Sequence, residues 1–117
     1  MNQVILRGYV GTDPKITTFQ DGASKVAEFS LSTTERGYKT KDGREIPEVT
    51  DWHNIAIRST SLANIVEKYV KKGSNLLIVG KLKVRSYNDK NNIKRYITEV
   101  VAEDVELLGG KDKSVPF

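Results

Sequence analysis

The alternation of hydrophobic and polar positions predicts a chain built mostly from strands. It is clearest over residues 25–34, where Ala27, Phe29 and Leu31 share one face and the other face is mostly polar. Weaker alternation over residues 4–10 and again over residues 51–58 predicts two further strands. Residues 75–87 and 93–101 then predict a final hairpin. Each strand is expected to turn one face toward a core.

One segment between the third and fourth predicted strands has helical spacing instead. Leu62, Ile65, Val66 and Tyr69 recur at i, i+3, i+4 and i+7, which is typical of one buried helix face. A hydroxyl residue at positions 59–61 can cap the start of this helix. Gly73 suits the position just after its end.

The predicted order of elements is three strands, one helix and two strands. That order fits an all-β OB-fold, which is a five-stranded Greek-key barrel, here with one helix between strands 3 and 4. A general α+β sheet covered by one helix has the same order, so the order alone leaves both folds open. We predict one domain over residues 1–109, followed by a short C-terminal tail over residues 110–117.

Composition excludes several classes of protein. The chain has no cysteine, which excludes disulfides, zinc–thiolate sites and thiol catalysis. The longest aliphatic run, residues 76–79, is far too short to span a bilayer. The first residues lack the pattern of a secretory signal. We therefore expect no membrane association, and the absence of cysteine is compatible with a reducing cytoplasm.

No group of residues suggests catalysis or metal binding. The single histidine, His53, shares a strand face with Ile55 and Ile57, where packing or an interface role is more common than a role as a base. The neighbouring acids Glu103 and Asp104 would point to opposite faces of a strand. No glycine-rich phosphate loop has the required spacing. The sequence therefore predicts no enzyme, no metal and no cofactor.

The net charge is only +4, but its distribution is uneven. Residues 81–95 contain six basic residues and a single acid, Asp89. A basic band of this kind suggests a polyanionic partner, although a solvated protein face has a similar composition. Alternation places four residues of this band on one face of the hairpin: Lys81, Lys83, Arg85 and Tyr87. It places Leu82 and Val84 on the other face, which we expect to be the core side.

Two further rings lie beside cations. Trp52 is on the polar face of its strand together with Arg58, and Tyr38 lies in a polar connection beside Lys39 and Lys41. Any one of these rings could be an ordinary, partly buried aromatic residue. Rings that stack on unpaired bases, next to cations that follow the phosphates, are what binding of single-stranded nucleic acid requires. The combination predicts such a binding surface.

Four ordered segments of the chain carry a resemblance to a known family. They read NQVILRGYVGTDP, TDWHNIAI, YVKKGSNLLIVGKL and RSYNDKNNIKRYITEVV. Together they resemble the bacterial single-stranded DNA-binding proteins of replication, recombination and repair, from about residue 2 to residue 110. The resemblance implies an OB-fold that assembles as a homotetramer and binds single-stranded DNA without regard to sequence. It also implies a cytoplasmic, nucleoid-associated protein.

The resemblance assigns roles to particular residues. It implies base stacking at Tyr38, Trp52 and Tyr87. It places His53 at a subunit interface. It places the first strand there as well, through Asn2, Val4 and Leu6. In the family, a C-terminal Pro-Phe recruits replication and repair proteins, which suggests that role for Pro116 and Phe117.

The chain also departs from the family pattern. Tyrosine stands at positions 38 and 87, where members commonly carry tryptophan, and Arg58 stands where a stacking phenylalanine is expected. An arginine plane can also stack on a base or meet a phosphate. The tail GGKDKSVPF lacks the family's long linker and acidic residues. A primosome-type OB-fold accessory that acts as a dimer, or an RNA-binding OB module, therefore stays open as an alternative.

Overall fold

The structure is a computed structural model that describes residues 1–108. Their strands and helix are β1 Val4–Val10, β2 Lys15–Thr18, β3 Lys25–Glu35, β4 Tyr38–Lys39, β5 Glu45–Ile46, β6 Val49–Ile57, α1 Thr60–Tyr69, β7 Asn75–Asn88 and β8 Lys94–Leu107. Pro116 and Phe117 of the predicted tail lie outside the described residues. Within residues 1–108, no helix combines the length and the apolarity that crossing a bilayer requires.

Five strands close into a barrel. β1 pairs with β7, β7 with β8, β8 with β6, β6 with β3, and β3 returns to β1. The ring closes through a short contact, because β1 meets β3 only at Tyr9 and Val10. The β6–β8 pair is parallel and the other pairs of the ring are antiparallel. This topology, with α1 between β6 and β7, confirms the predicted OB-fold.

The core lies inside this ring, and strand alternation explains its composition. Leu31, Ile55, Ile57, Leu76 and Ile78 are almost completely buried and come from three of the barrel strands. The inward positions that alternation predicted on β3 are confirmed as core residues. The barrel therefore uses one face of each strand for stability and leaves the other face available for binding.

The helix closes one end of the core. Ser59 caps it, because its Oγ accepts a hydrogen bond from the backbone N–H of Leu62 at 3.4 Å. Ala63 and Val66 are its buried residues. The predicted role of Gly73 just after the helix is wrong, since the helix ends at Tyr69 and the chain leaves it in an extended conformation. Gly73 instead belongs to the following turn, where its φ of +91° favours glycine.

Three short strands lie outside the predicted order. β2 pairs with β3 along one edge of the sheet, and its four residues are too few to show a clear alternation. β4 and β5 form a small separate hairpin around the Asp42–Gly43 turn, within the polar connection that carries Tyr38. Gly43 has a φ of +94°, which the turn requires.

The last hairpin, β7–β8, extends beyond the barrel as an arm. Its pairing continues to Asn88 and Lys94, whereas β1 stops covering β7 at Gly80. Leu82 and Val84 are consequently 47% and 64% exposed, so their expected burial is wrong. Alternation predicted correctly which residues share a face, but past the end of β1 no core is left for that face to cover.

Candidate nucleic-acid interface

The predicted binding residues of β6 and β7 lie on one outer surface of the barrel. Pairing across β7–β8 places Lys83 opposite Glu99 and Tyr87 opposite Arg95, and directly opposed residues project from the same face of a sheet. β6 lies on the other side of β8 and points Trp52 away from the buried Ile55. We call this surface the basic face and define it by Trp52, Arg58, Lys81, Lys83, Arg85 and Tyr87.

Trp52 is an exposed ring with a fixed position. It is 62% exposed although it lies in the middle of the β3–β6 ladder, opposite Ser32. The far edge of its indole lies against Gly11, because a Cβ placed on Gly11 would come within 2.2 Å of Trp52 Cζ3. Gly11 itself is held by a hydrogen bond from its N–H to the carbonyl of Ser30 at 2.9 Å. The missing side chain at position 11 therefore makes room for the ring.

Tyr38 lies on the small β4–β5 hairpin and is also well exposed. It borders an open groove of about 480 Å³ whose other lining residues are Lys39, Glu45, Ile46 and Pro47. Lys39 and Lys41, both predicted to follow phosphates, are exposed on this hairpin. The groove therefore combines a ring with apolar walls and nearby cations.

The turn of the β4–β5 hairpin is held by side-chain hydrogen bonds. The Thr40 hydroxyl donates to Asp42, and Arg44 Nε donates to the same carboxylate at 3.1 Å. These bonds, the one from Thr40 first among them, hold the pKa of Asp42 below its ordinary value. The ion pair of this turn joins Arg44 and Asp42, and the ammonium groups of Lys39 and Lys41 take no part in it.

The tip of the β7–β8 arm is organised by Asp89. Its Oδ1 accepts hydrogen bonds from the backbone N–H groups of Asn91 and Ile93, both at 2.9 Å, and its Oδ2 accepts one from Arg95 Nε at 3.0 Å. The pKa of Asp89 is held below its ordinary value, mainly by the hydrogen bond from Ile93 and then by the one from Arg95. The arm therefore ends in a defined turn, with Tyr87 just before it.

The arm carries a ring on each of its two faces. Tyr87, on the basic face, is 44% exposed, whereas Tyr96, on the opposite face, is 67% exposed. The ammonium group of Lys94 lies 5.6 Å from the centre of the Tyr96 ring, within the range of a cation–π contact. Exposure alone therefore does not distinguish a stacking ring, and the face on which the ring lies becomes the useful criterion.

Arg58 and Arg85 share a partner that the sequence reasoning missed. Arg58 Nη2 lies 2.9 Å and Arg85 Nε lies 3.2 Å from the same oxygen, Oε1 of Glu99. Glu99 is only 7% exposed, while both arginine side chains are about half exposed. The β7–β8 pairing places Glu99 opposite Lys83, but no local sequence signal links it to Arg58, 41 residues earlier.

The residues predicted at subunit contacts occupy different settings. His53 is partly buried, with Nε2 2.7 Å from the hydroxyl oxygen of Thr33. Asn2 pairs through its side-chain amide with the backbone N–H and carbonyl of Leu82, both at 2.9 Å. Val4 and Leu6 pack against the core of their own chain. The large exposed hydrophobic side chains of β1 are instead Ile5 and Tyr9.

Residues 1–108 contain no group of three or more acidic or histidine side chains that could hold a metal ion. The chemical character of the basic face is that of rings and cations. Such a surface can stack flat groups and neutralise phosphates, but it lacks an arrangement of nucleophile and base.

Comparison with known proteins gives a consistent result. The profile of the single-strand binding protein family matches residues 1–108. A single-stranded DNA-binding protein of Bacteroides thetaiotaomicron is 50% identical over 111 residues, which are 95% of this chain and 68% of that protein. A protein of the same description from Rickettsia typhi is 45% identical over 104 residues, covering 89% of this chain and 67% of that protein.

A solved structure is similar over almost its whole length. It is described as a Plasmodium falciparum SSB complex with ssDNA, and it superposes with a TM-score of 0.82 at 31% sequence identity. The match covers 93% of this chain and 96% of that one. The similarity extends over most of the chain rather than over a single motif.

The contact between Gly11 and Trp52 gives a first prediction. Gly11→Ala places a methyl group where the indole edge now lies, so the ring must move outward. Because Trp52 is the single tryptophan, its emission maximum should shift to longer wavelength. Gly22→Ala is the control, since a Cβ there meets nothing within 4 Å. The φ of +71° at Gly22 means that any strain from the substitution falls on the turn between β2 and β3. Emission from Gly11→Ala identical to that of the unsubstituted protein would contradict the assigned contact.

Proposed function

The chain belongs to the single-strand binding protein family, and we propose that it binds single-stranded DNA independently of sequence along the basic face. The observation that carries the proposal is that exposed rings and unburied cations lie together on one surface of an OB-fold barrel. Stacking of bases on aromatic rings contributes about 1–3 kcal/mol per base and does not depend on base identity. The protein acts by binding, not by catalysis.

The proposed binding uses two kinds of contact, base stacking and phosphate neutralisation. Tyr38, Trp52 and Tyr87 act as stacking platforms, spaced along the β4–β5 hairpin, the barrel wall and the β7–β8 arm. The remaining residues act on phosphates: Lys39, Lys41, Arg58, Lys81, Lys83 and Arg85. Neutralising phosphates releases condensed counterions, so affinity falls as salt concentration rises. Sequence independence follows, because neither a ring face nor a cation that contacts a phosphate reads the edge of a base.

We also propose that the chain assembles as a homotetramer. The support lies on β1, whose main chain pairs with β7 from Val4 to Tyr9 but meets β3 only at Tyr9 and Val10. Among the described residues, its edge from Val4 to Gly8 therefore has no second strand partner. A second copy can pair along that edge, with Ile5 and Tyr9 covered beside it. This set of contacts includes His53 and Asn2. Val4 and Leu6 support the strand from the core side.

The domain division and the tail complete the proposal. Residues 1–109 form the DNA-binding domain, and residues 110–117 form a tail whose Pro116 and Phe117 recruit replication and repair proteins in the nucleoid. The adjacent apolar side chains of these two residues suit an apolar pocket on a partner. The basic residues Lys111 and Lys113 around Asp112 weaken long-range attraction to any basic residues around such a pocket.

Binding can be tested with oligo-dT, followed by the anisotropy of a label on the oligonucleotide. Tyr87→Ala should raise the dissociation constant by about fivefold to a hundredfold, as expected for the loss of one stacked base. Tyr96→Ala is the matched control, because it removes a more exposed ring from the opposite face of the same arm. Affinity should also fall with salt, with a log–log slope of about −0.7 per phosphate neutralised.

Two results would overturn this proposal. An unsubstituted protein that fails to bind oligo-dT at low salt would remove the function itself. Equal losses in Tyr87→Ala and Tyr96→Ala would remove the assignment to the basic face.

The assembly is tested by light scattering coupled to size-exclusion chromatography. We expect a mass near four times that of the chain, because the open β1 edge and the exposed side chains of Ile5 and Tyr9 must both be covered. A mass near twice that of the chain would instead favour the dimeric accessory protein, and a monomer would exclude both assemblies. Ile5→Lys should lower the mass, since it places a charge at the proposed contact without touching the core.

A further inference from the structure

Three side chains from separate parts of the chain meet on the basic face. Arg58 follows the end of β6, Arg85 lies on β7, and Glu99 lies on β8 between them. Both guanidinium groups reach Oε1 of Glu99, at 2.9 Å from Arg58 and 3.2 Å from Arg85. We call this group the arginine–glutamate cluster.

The burial of the three residues is unequal. Glu99 is the one charged residue that is buried among residues 1–108, whereas both arginine side chains remain about half exposed. A buried carboxylate is costly unless it is paired and hydrogen-bonded, and here two guanidinium groups satisfy it. The carboxylate is therefore the fixed centre of the cluster, and the arginines extend from it toward solvent.

The arrangement constrains the arginines more than it neutralises them. An arginine has several N–H donors and no acceptor. Each arginine uses a single nitrogen on Glu99 in this structure, so the other nitrogens of each guanidinium group remain directed elsewhere. Two like charges would otherwise separate, and a long side chain loses rotamer entropy when a ligand fixes it. Glu99 overcomes both effects before any ligand arrives.

We propose that Glu99 is a positioning residue for single-stranded DNA, which holds Arg58 and Arg85 as a preorganised pair that binds one backbone phosphate. The inference rests on the proposed function and adds a residue to which no role in binding was assigned. The pair lies on the same outer surface as Trp52 and Tyr87. It therefore holds a backbone phosphate on the surface where the bases stack.

Simple electrostatics makes the opposite prediction for this residue. Removing an acid from a surface that binds a polyanion should strengthen binding, because it raises the net charge by one. Preorganisation predicts weaker binding, because two arginines then have to be ordered at the moment of binding. The sign of the change in affinity therefore decides between the two accounts.

The decisive variant is Glu99→Gln, which keeps the volume of the side chain and removes its charge. We expect its dissociation constant for labelled oligo-dT to rise by about fivefold or more. Glu103→Gln is the matched control, since it makes the same charge change at an exposed position of the same strand. That control should bind as tightly as the unsubstituted protein or slightly more tightly.

A second comparison separates positioning from a general loss of structure. In a background of Arg58→Gln with Arg85→Gln, adding Glu99→Gln should cause no further loss of affinity, because the groups that Glu99 positions are gone. A purely structural role would still lower affinity in that background. Should Glu99→Gln fail to fold, Glu99→Asp serves instead, because it keeps the charge, withdraws the carboxylate by one methylene and should also weaken binding.

The outcomes are distinguishable. Glu99→Gln binding as tightly as the unsubstituted protein, or more tightly, overturns the inference and leaves the proposed function intact. A loss that persists without the two arginines overturns it as well. An unsubstituted protein that does not bind oligo-dT overturns the proposed function and this inference with it.

Discussion

The register between β7 and β8 is the constraint on which the proposed binding surface depends. It places Lys83 opposite Glu99 and Tyr87 opposite Arg95, and so gathers the cations and a ring on one face of the arm. Because side chains alternate with a period of two, a slip of one residue would send this whole set to the opposite face. Val100, a core residue that pairs with Leu82, ties that register to the barrel, and a register shift between Val79 and Gly80 separates it from the pairing of Leu76 and Ile78.

The barrel and the arm divide stability from binding. Inside the ring, the inward positions of β3, β6, β7 and β8 form a hydrophobic core. Beyond the end of β1, β7 and β8 continue as the arm. No core lies beneath the arm, so both of its faces are surface. Trp52 lies where the two regimes meet, with its ring against the backbone at Gly11 and its remaining surface open. A rigid wall of this kind reduces the entropy lost when a flexible strand of DNA binds.

Much of this arrangement follows from the sequence, because alternation reports which residues share a face. It identified Ala27, Phe29 and Leu31 as core residues and grouped Lys83 with Tyr87. Alternation does not report depth, so Leu82 and Val84 were expected to be buried although β1 ends before it covers them. The Arg58–Glu99 pair could not be predicted, since it joins strands whose parallel pairing arises only when the barrel closes.

On the proposed surface, the face on which a ring lies, and not its exposure, decides whether the ring meets DNA. Photochemical crosslinking with oligo-dT that carries single 5-iodouracil substitutions, followed by mass spectrometry of the peptides, tests this assignment. We expect crosslinks at Trp52, Tyr87 and Tyr38. We expect none at Tyr96, although that ring is more exposed than any of the three. Crosslinking of Tyr96 at a yield equal to that of Tyr87 would show that exposure, and not the face, selects the rings that meet DNA.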